Sequence, residues 1–294
     1  MKRFGLIGYP IAHSKSPALF HAAYGGAYPY DLIEEADFET AYRRFLSDYE
    51  GINVTAPFKE LAYGRADILS EEVRLIRAAN LLVKTHQGIK AYNSDYLAVK
   101  KWLEETIGKF PSGYNSRVLI AGCGGAGKAA AIASGSLGLH TTLTNRSADK
   151  ALEIIVNIQE AYSEGFTDIS EELFEFQPIT DFAGLFSGAD IVIYTLPVPI
   201  EGLSALRKGC NSIPLTSHSV ADPVNASNLQ ISTSGNPKQH FLLEANYKNP
   251  SFTPELLADL PGTAYTPGTV WLLYQAITGY PILTGSGQIE ISCF

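Results

Sequence analysis

Arg117-Val-Leu-Ile-Ala121 is a short apolar run that opens directly onto Gly122-Cys-Gly124-Gly-Ala-Gly127, and a stretch of small, helix-compatible residues follows. A strand, a glycine loop and a helix in that order commit the chain to an α/β unit, because a helix leaving a buried strand must return over the sheet toward a parallel neighbour. The loop fits G-x-G-x-x-G. Glycines there allow a tight turn and let backbone N–H groups and the helix N-terminus meet a pyrophosphate. Two other readings use the same residues. Gly122, Gly127 and Lys128 spell most of a P-loop, but the magnesium-binding Ser or Thr that should follow is Ala129. The loop could also be a turn that only packs a helix on a strand.

The end of the next strand bears on which dinucleotide such a loop takes. NAD sites usually place an acidic residue there for the ribose 2'-hydroxyl. Here the residues are Thr144-Asn145-Arg146-Ser147, with no carboxylate before Asp149. A guanidinium can pair with a 2'-phosphate and the missing carboxylate removes a repulsion, so NADP is favoured, with Lys150 as a more distant charge. Arg146 is also compatible with a solvated residue before a helix.

Strand and helix patterns alternate along most of the chain. Strands are expected at Phe4–Gly8, Tyr30–Glu34, Gly51–Thr55, Ala79–Thr85, Arg117–Ala121, Thr141–Thr144 and Ile191–Thr195. Helices are expected over 18–26, Phe38–Tyr49, Lys59–Ala66, Glu71–Ile76, Tyr96–Ile107, Lys128–Leu137, Ala148–Tyr162 (Ser147 as N-cap) and Trp271–Ile277. The turn-rich segment 108–116 is the best boundary between two α/β domains. Residues 163–181 resist assignment and read as a candidate insertion.

The chain has 294 residues, enough for two domains with sizeable cores. Thirty acidic against 22 basic residues, a net charge of -8, argue against a nucleic-acid partner. Met1-Lys2-Arg3 and the apolar residues after it imitate the start of an export signal, but Gly5, Gly8 and Pro10 break the run and no cleavage pattern follows. No apolar stretch approaches the roughly 18 residues of a spanning helix. Cys123, Cys210 and Cys293 are distant and odd in number, which suggests a reducing compartment, no disulfide framework and no metal site. A soluble, cytoplasmic protein is expected.

Several polar residues in the first half could carry chemistry. Ser14 and Ser16 present two hydroxyls suited to a carboxylate, or form a serine turn with an N-cap. Asn53 and Thr55 face one way from a strand end, with Lys59 a short turn later. Taken singly, Lys59 reads as a solvated charge and Asp95 as a helix cap. Brought together beside a nicotinamide they would be coherent, since reducing a ketone needs hydride on carbon and a proton on oxygen.

Taken in order, these blocks resemble the shikimate dehydrogenase family. The matching residues are Gly8-Tyr-Pro10-Ile-Ala-His13-Ser14-Lys-Ser16-Pro17, Gly51-Ile-Asn53-Val-Thr55-Ala-Pro57-Phe-Lys59-Glu60, Ala78-Ala-Asn80, Asn93-Ser-Asp95, the glycine loop, Asn145-Arg146-Ser147, Glu244-Ala-Asn-Tyr247 and Gln275. The resemblance implies an NADP-dependent oxidoreductase that interconverts 3-dehydroshikimate and shikimate on the way to chorismate and the aromatic amino acids. It implies Lys59 and Asp95 as the catalytic pair and Ser14 and Ser16 at the substrate carboxylate. Asn53, Thr55, Asn80, Tyr247 and Gln275 would line the pocket. Gly122, Gly124, Gly125, Ala126 and Gly127 would hold the pyrophosphate, and Asn145, Arg146 and Ser147 the 2'-phosphate.

The implied fold is α/β, with a substrate domain of mostly parallel sheet over 1–110 and a Rossmann-type NADP-binding domain over 111–245. Helices in 246–294 would return to the first domain. Leu81, Tyr96, Tyr194 and Trp271 depart from the family's pattern. Alternatives are a quinate/shikimate dehydrogenase using NAD and a non-catalytic sensor of NADP and shikimate. The expected partner is a small-molecule substrate, with neither nucleic acid nor membrane, for a monomer or homodimer.

Overall fold

The computed structural model describes residues 1–209, 240–289 and 291, so Cys210 and Cys293 lie outside the described residues. Two six-stranded sheets stand side by side. The first holds β1 (Phe4–Gly8), β2 (Tyr30–Glu34), β3 (Gly51–Val54), β4 (Ile68–Leu69), β5 (Leu81–Thr85) and β6 (Gly88–Tyr92), in the order β2-β1-β3-β5-β6-β4. Its helices are α1 (Ser16–Tyr24), α2 (Phe38–Asp48), α3 (Lys59–Gly64), α4 (Glu71–Ile76) and α5 (Ser94–Ile107). α2 shows why such segments fold as they do: Phe38, Ala41, Tyr42 and Phe45 recur at helical spacing and are buried, and Asp37 caps the first turn by accepting the Thr40 N–H at 2.8 Å.

The second sheet holds β7 (Arg117–Ala121), β8 (His140–Thr144), β9 (Phe174–Phe176), β10 (Ile191–Tyr194), β11 (His240–Glu244) and β12 (Thr263–Thr266), in the order β12-β11-β10-β7-β8-β9, with every pair parallel. Strand order reverses between β7 and β10, the doubly wound arrangement that opens a crevice at the carboxyl ends of those strands. The continuous apolar runs of β7 and β10 follow from this, since a parallel sheet is covered on both faces. α6 (Gly125–Ser136), α7 (Ala148–Ser163), α8 (Phe182–Gly188), α9 (Gly202–Gly209) and α10 (Pro254–Ala258) belong to this half. α11 (Gly268–Thr284) then crosses back, burying Ala276, Tyr280 and Leu283 against Phe4, Leu19, Phe20 and Leu81.

The first sheet is mostly parallel, as expected, with β5 alone antiparallel to its neighbours β3 and β6; β4 and β6 were not foreseen. Other expectations change. The α6 helix begins at Gly125 rather than Lys128, so two glycines of the loop lie in its first turn. The 163–181 stretch is no insertion outside the sheet, because it supplies β9, the edge strand paired with β8. A second domain ending at 245 omits β12, which pairs with β11 through Phe241 opposite Ala264 and Leu242 opposite Tyr265. No helix among the described residues is long and apolar enough to cross a membrane.

Candidate active site

Lys59 owes its position to a turn. Past β3 the Phe58 N–H donates to the Thr55 carbonyl at 3.0 Å, and α3 starts at Lys59, whose carbonyl accepts the Ala79 N–H at 2.9 Å. The β5–β6 hairpin does the rest. Leu81 opens β5 directly opposite Tyr92, which closes β6, so Asn80 and Asn93 leave the hairpin side by side. Asn93 caps α5 by accepting the Tyr96 N–H at 3.1 Å, which sets Asp95 in the helix's first turn. Asp95 is therefore not the cap; its carboxylate is free to point elsewhere.

It points to Lys59. The Lys59 ammonium donates to Asp95 Oδ2 at 2.5 Å, and the same oxygen accepts from Asn80 Nδ2 at 2.9 Å. Gln275 Nε2, delivered by α11, donates to Asp95 Oδ1. The Asn80 side-chain oxygen accepts the Ser94 N–H at 2.6 Å, tying the amide to the helix that carries Asp95. The Asp95 side chain is 8% exposed and that of Lys59 is 28%, so the carboxylate is the buried anchor and the ammonium the group that reaches the open space. A charge-assisted bond in such a site is stronger than a neutral one.

That open space is a cavity of about 490 Å³ between the sheets. All nine expected catalytic and substrate residues line it: Lys59, Asp95, Ser14, Ser16, Asn53, Thr55, Asn80, Tyr247 and Gln275. The serine turn forms, with Ser14 Oγ accepting the Ser16 N–H and donating to Ser16 Oγ, each at 3.2 Å, but the N-cap of α1 is Lys15 and no side chain caps the helix; both serines line the cavity. Asn53 is oriented from below by Tyr30, whose hydroxyl donates to Asn53 Oδ1 at 2.9 Å. Burial, with the Tyr280 phenol nearby, pushes the Tyr30 phenol well up, so it stays a neutral donor. Tyr247 sits in a loop pinned by buried Glu244, which accepts the Ser251 N–H at 2.5 Å and the Tyr265 hydroxyl at 2.8 Å.

At the mouth of the cavity the glycine loop begins, with Ala126 on the wall. Gly122 has φ +102°, a conformation L side chains rarely adopt, and a Cβ on Gly127 would stand 1.8 Å from the Gly122 carbonyl oxygen. A Cβ on Gly124 or Gly125 would meet nothing within 4 Å, so space remains in front of the α6 N-terminus. Thr195 donates from Oγ1 to the Ala121 and Gly122 carbonyls at 3.0 Å and fixes the loop from β10. Lys128 turns away to Glu153 at 2.6 Å, which counts further against a P-loop. Cys123 is buried and its thiol is pushed up to about 12, chiefly by desolvation.

Arg146 lies at the end of β8 and lines a second cavity of about 470 Å³ with Leu196, Pro197, Val198 and Ile200. Asn145 and Ser147 flank it but do not line that cavity; Asn145 Nδ2 donates to the Ser147 carbonyl at 2.9 Å, holding the turn around Arg146. Ser147 occupies the N-cap position of α7 without a side-chain cap bond.

Residues 6–82 match the model of the shikimate dehydrogenase substrate binding domain. A shikimate dehydrogenase (NADP(+)) from Xanthomonas euvesicatoria pv. vesicatoria is 31% identical over 207 residues, 67% of this chain and 72% of that one. The chain belongs to the shikimate dehydrogenase family. The first curated relatives it matches are spanned over only 58–60% of their length. Among solved structures, a quinate dehydrogenase from Corynebacterium glutamicum in complex with NAD superposes with a TM-score of 0.73 at 21% identity, covering 99% of this chain and 96% of that one. The Mycobacterium tuberculosis shikimate dehydrogenase gives 0.70 at 25% identity, covering 98% and 95%.

The departures from the shikimate dehydrogenase pattern now have places. Leu81 is fully buried against α11, and Tyr194 is a core residue packed on Phe182 and Phe252, with its hydroxyl on the Val198 carbonyl. Tyr96 reaches from α5 to α6, where its hydroxyl donates to Ser136 Oγ at 3.3 Å. Of the four, Trp271 alone lines the cavity with Lys59. Tyr30 and Thr195 escaped sequence reasoning as site residues. Tyr30 holds Asn53 and Thr195 holds the loop carbonyls, and nothing in their local pattern marks either role.

Proposed function

We propose that this chain catalyses the reversible reduction of 3-dehydroshikimate to shikimate with NADPH. The observation that carries the reading is the Asp95 carboxylate, gripped by Lys59, Asn80 and Gln275 at the floor of a cavity that opens toward a glycine loop. The loop fits a dinucleotide: a Cβ-free contact between Gly122 and Gly127, open space before the α6 N-terminus and no magnesium-binding hydroxyl. Gly122 to Gly127 would hold the pyrophosphate and Arg146, with Asn145 and Ser147, the 2'-phosphate. A nicotinamide held there would supply or accept the hydride.

The chain's own residues handle the proton and the orientation. Lys59 Nζ gives the proton to the carbonyl oxygen in reduction and takes it back in oxidation. Asp95 keeps the ammonium in place and accepts from the hydroxyl that forms. Asn80, on the same oxygen as Lys59, and Gln275, on the other, restrict how the Asp95 carboxylate can turn. Ser14 and Ser16 hold the substrate carboxylate, and Asn53, Thr55 and Tyr247 meet ring hydroxyls. We assign the substrate half to residues 1–110 with α11, the cofactor half to the stretch through β12, and the setting to the cytoplasm.

The test is NADPH formation from NADP with shikimate, repeated with quinate and with NAD. Turnover confined to shikimate and NADP upholds the reading. Comparable turnover with quinate or NAD makes it a broader quinate/shikimate dehydrogenase. Binding of both ligands without turnover makes it a sensor.

A further inference from the structure

Glu72 lies behind the Lys59–Asp95 pair, in α4, and takes no part in the cavity described above. It is 9% exposed and enters none of the ion pairs among the described residues. A carboxylate so buried is costly unless its hydrogen bonds compensate. Both of its side-chain bonds converge on Oε1, which accepts from Ser70 Oγ at 2.5 Å and from the Asn93 N–H at 3.2 Å. Ser70 stands at the N-cap position of α4 without a side-chain cap bond, its hydroxyl turned to Glu72 instead. The carboxylate also lines a third cavity, of about 390 Å³, shared with Tyr96 and Lys100, which leaves it within reach of solvent.

The partner is what matters. Asn93 is clamped through its side chain, with Nδ2 donating to the Ala78 carbonyl at 3.0 Å and Oδ1 accepting the Tyr96 N–H at 3.1 Å. Its main-chain N–H goes to Glu72. Next along the chain the Ser94 N–H is held by Asn80, and then comes Asp95. Glu72 and Asn80 therefore hold two consecutive main-chain N–H groups immediately before the residue that grips Lys59.

We propose that Glu72 is a positioning residue of the reaction: as a hydrogen-bond acceptor it fixes the main chain at Asn93 and through it the place of the Asp95 carboxylate. The proposal rests on the functional reading above. It makes the position of the Glu72 acceptor atom, not its charge, the quantity that matters.

Two variants separate those properties. Glu72→Gln keeps a carbonyl oxygen at the same reach and removes the charge; Glu72→Asp keeps the charge and retracts the acceptor by about one bond length. Glu72→Asp is expected to lower kcat by about 10- to 100-fold, the scale for a catalytic group displaced by about 1 Å, with KM for shikimate within about threefold. Glu72→Gln is expected to keep kcat within about threefold. Amide hydrogen exchange at Asn93 should quicken in the Asp variant and stay as in the natural chain in the Gln variant. An Asp variant as fast as the natural chain, or a Gln variant as slow as the Asp one, overturns the proposal. If the natural chain turns over neither shikimate with NADP nor quinate with NAD, the functional reading has failed. Unchanged exchange at Asn93 in Glu72→Asp would separately show that Glu72 does not hold that N–H.

Discussion

On the first sheet's side of the cleft, polar side chains are fixed by one another; on the second sheet's side, what counts is backbone shape and the space it leaves. Asp95 is bonded by three side chains and Asn53 by Tyr30, so the polar groups on this side are held by protein partners. Among the described residues the glycine loop has no comparable side-chain network, only Thr195 bonding the Ala121 and Gly122 carbonyls and a Gly122–Gly127 contact too close for a Cβ. The difference follows from what each side would recognise. Hydroxyls and a carboxylate on a small ring demand directed donors and acceptors, whereas a pyrophosphate is met by backbone N–H groups and a helix terminus.

Four substitutions can break or sharpen that contrast. Lys59→Ala should have the largest effect, lowering kcat by about 10² to 10⁴ with a smaller change in KM, as for a lost acid–base group. Steady-state kinetics with shikimate and NADP checks it, and an unchanged kcat would remove Lys59 from proton transfer. Arg146→Ala should raise KM for NADP by about 10- to 100-fold, the scale of a charge-assisted hydrogen bond, and leave KM for NAD nearly unchanged. Equal effects on both cofactors would mean that Arg146 does not read the 2'-phosphate.

Gly127→Ala forces a Cβ onto the Gly122 carbonyl, and overpacking of that kind costs about 1–3 kcal/mol. NADPH affinity, followed by its fluorescence, should fall by about tenfold or more while calorimetry finds shikimate binding retained. Loss of both would show that the two halves are not independently organised. The smallest effect belongs to Tyr30→Phe, which removes one neutral hydrogen bond worth about 0.5–1.5 kcal/mol. It should raise KM for shikimate up to about tenfold and spare KM for NADP.

The cofactor half was largely legible in the sequence, because its signals are local. A buried strand, a spaced set of glycines and an arginine at the next strand's end lie within 30 residues, and each reports on backbone its own neighbours control. The substrate half was legible as residues but not as an arrangement. Lys59 and Asp95 are 36 positions apart, and 180 separate Asp95 from Gln275. What joins the first two is the β5–β6 hairpin, whose second strand went unread although Ile89 and Ala91 alternate as buried positions and Gly88, at φ +118°, turns the chain. The 163–181 stretch failed for a related reason: an edge strand of three residues is too short to show a period.

Local pattern by itself thus determined the two α/β units and the strand–glycine–helix loop, since each depends on residues close along the chain. The Lys59–Asp95 pair and the return of the C-terminal helices with Gln275 came only with the family resemblance, and tertiary structure alone decided that Asn80 and Gln275 both donate to Asp95 and that Glu72 stands behind Asn93. These are contacts between distant segments. They exist only once burial has brought the segments together, and no spacing along the chain encodes them.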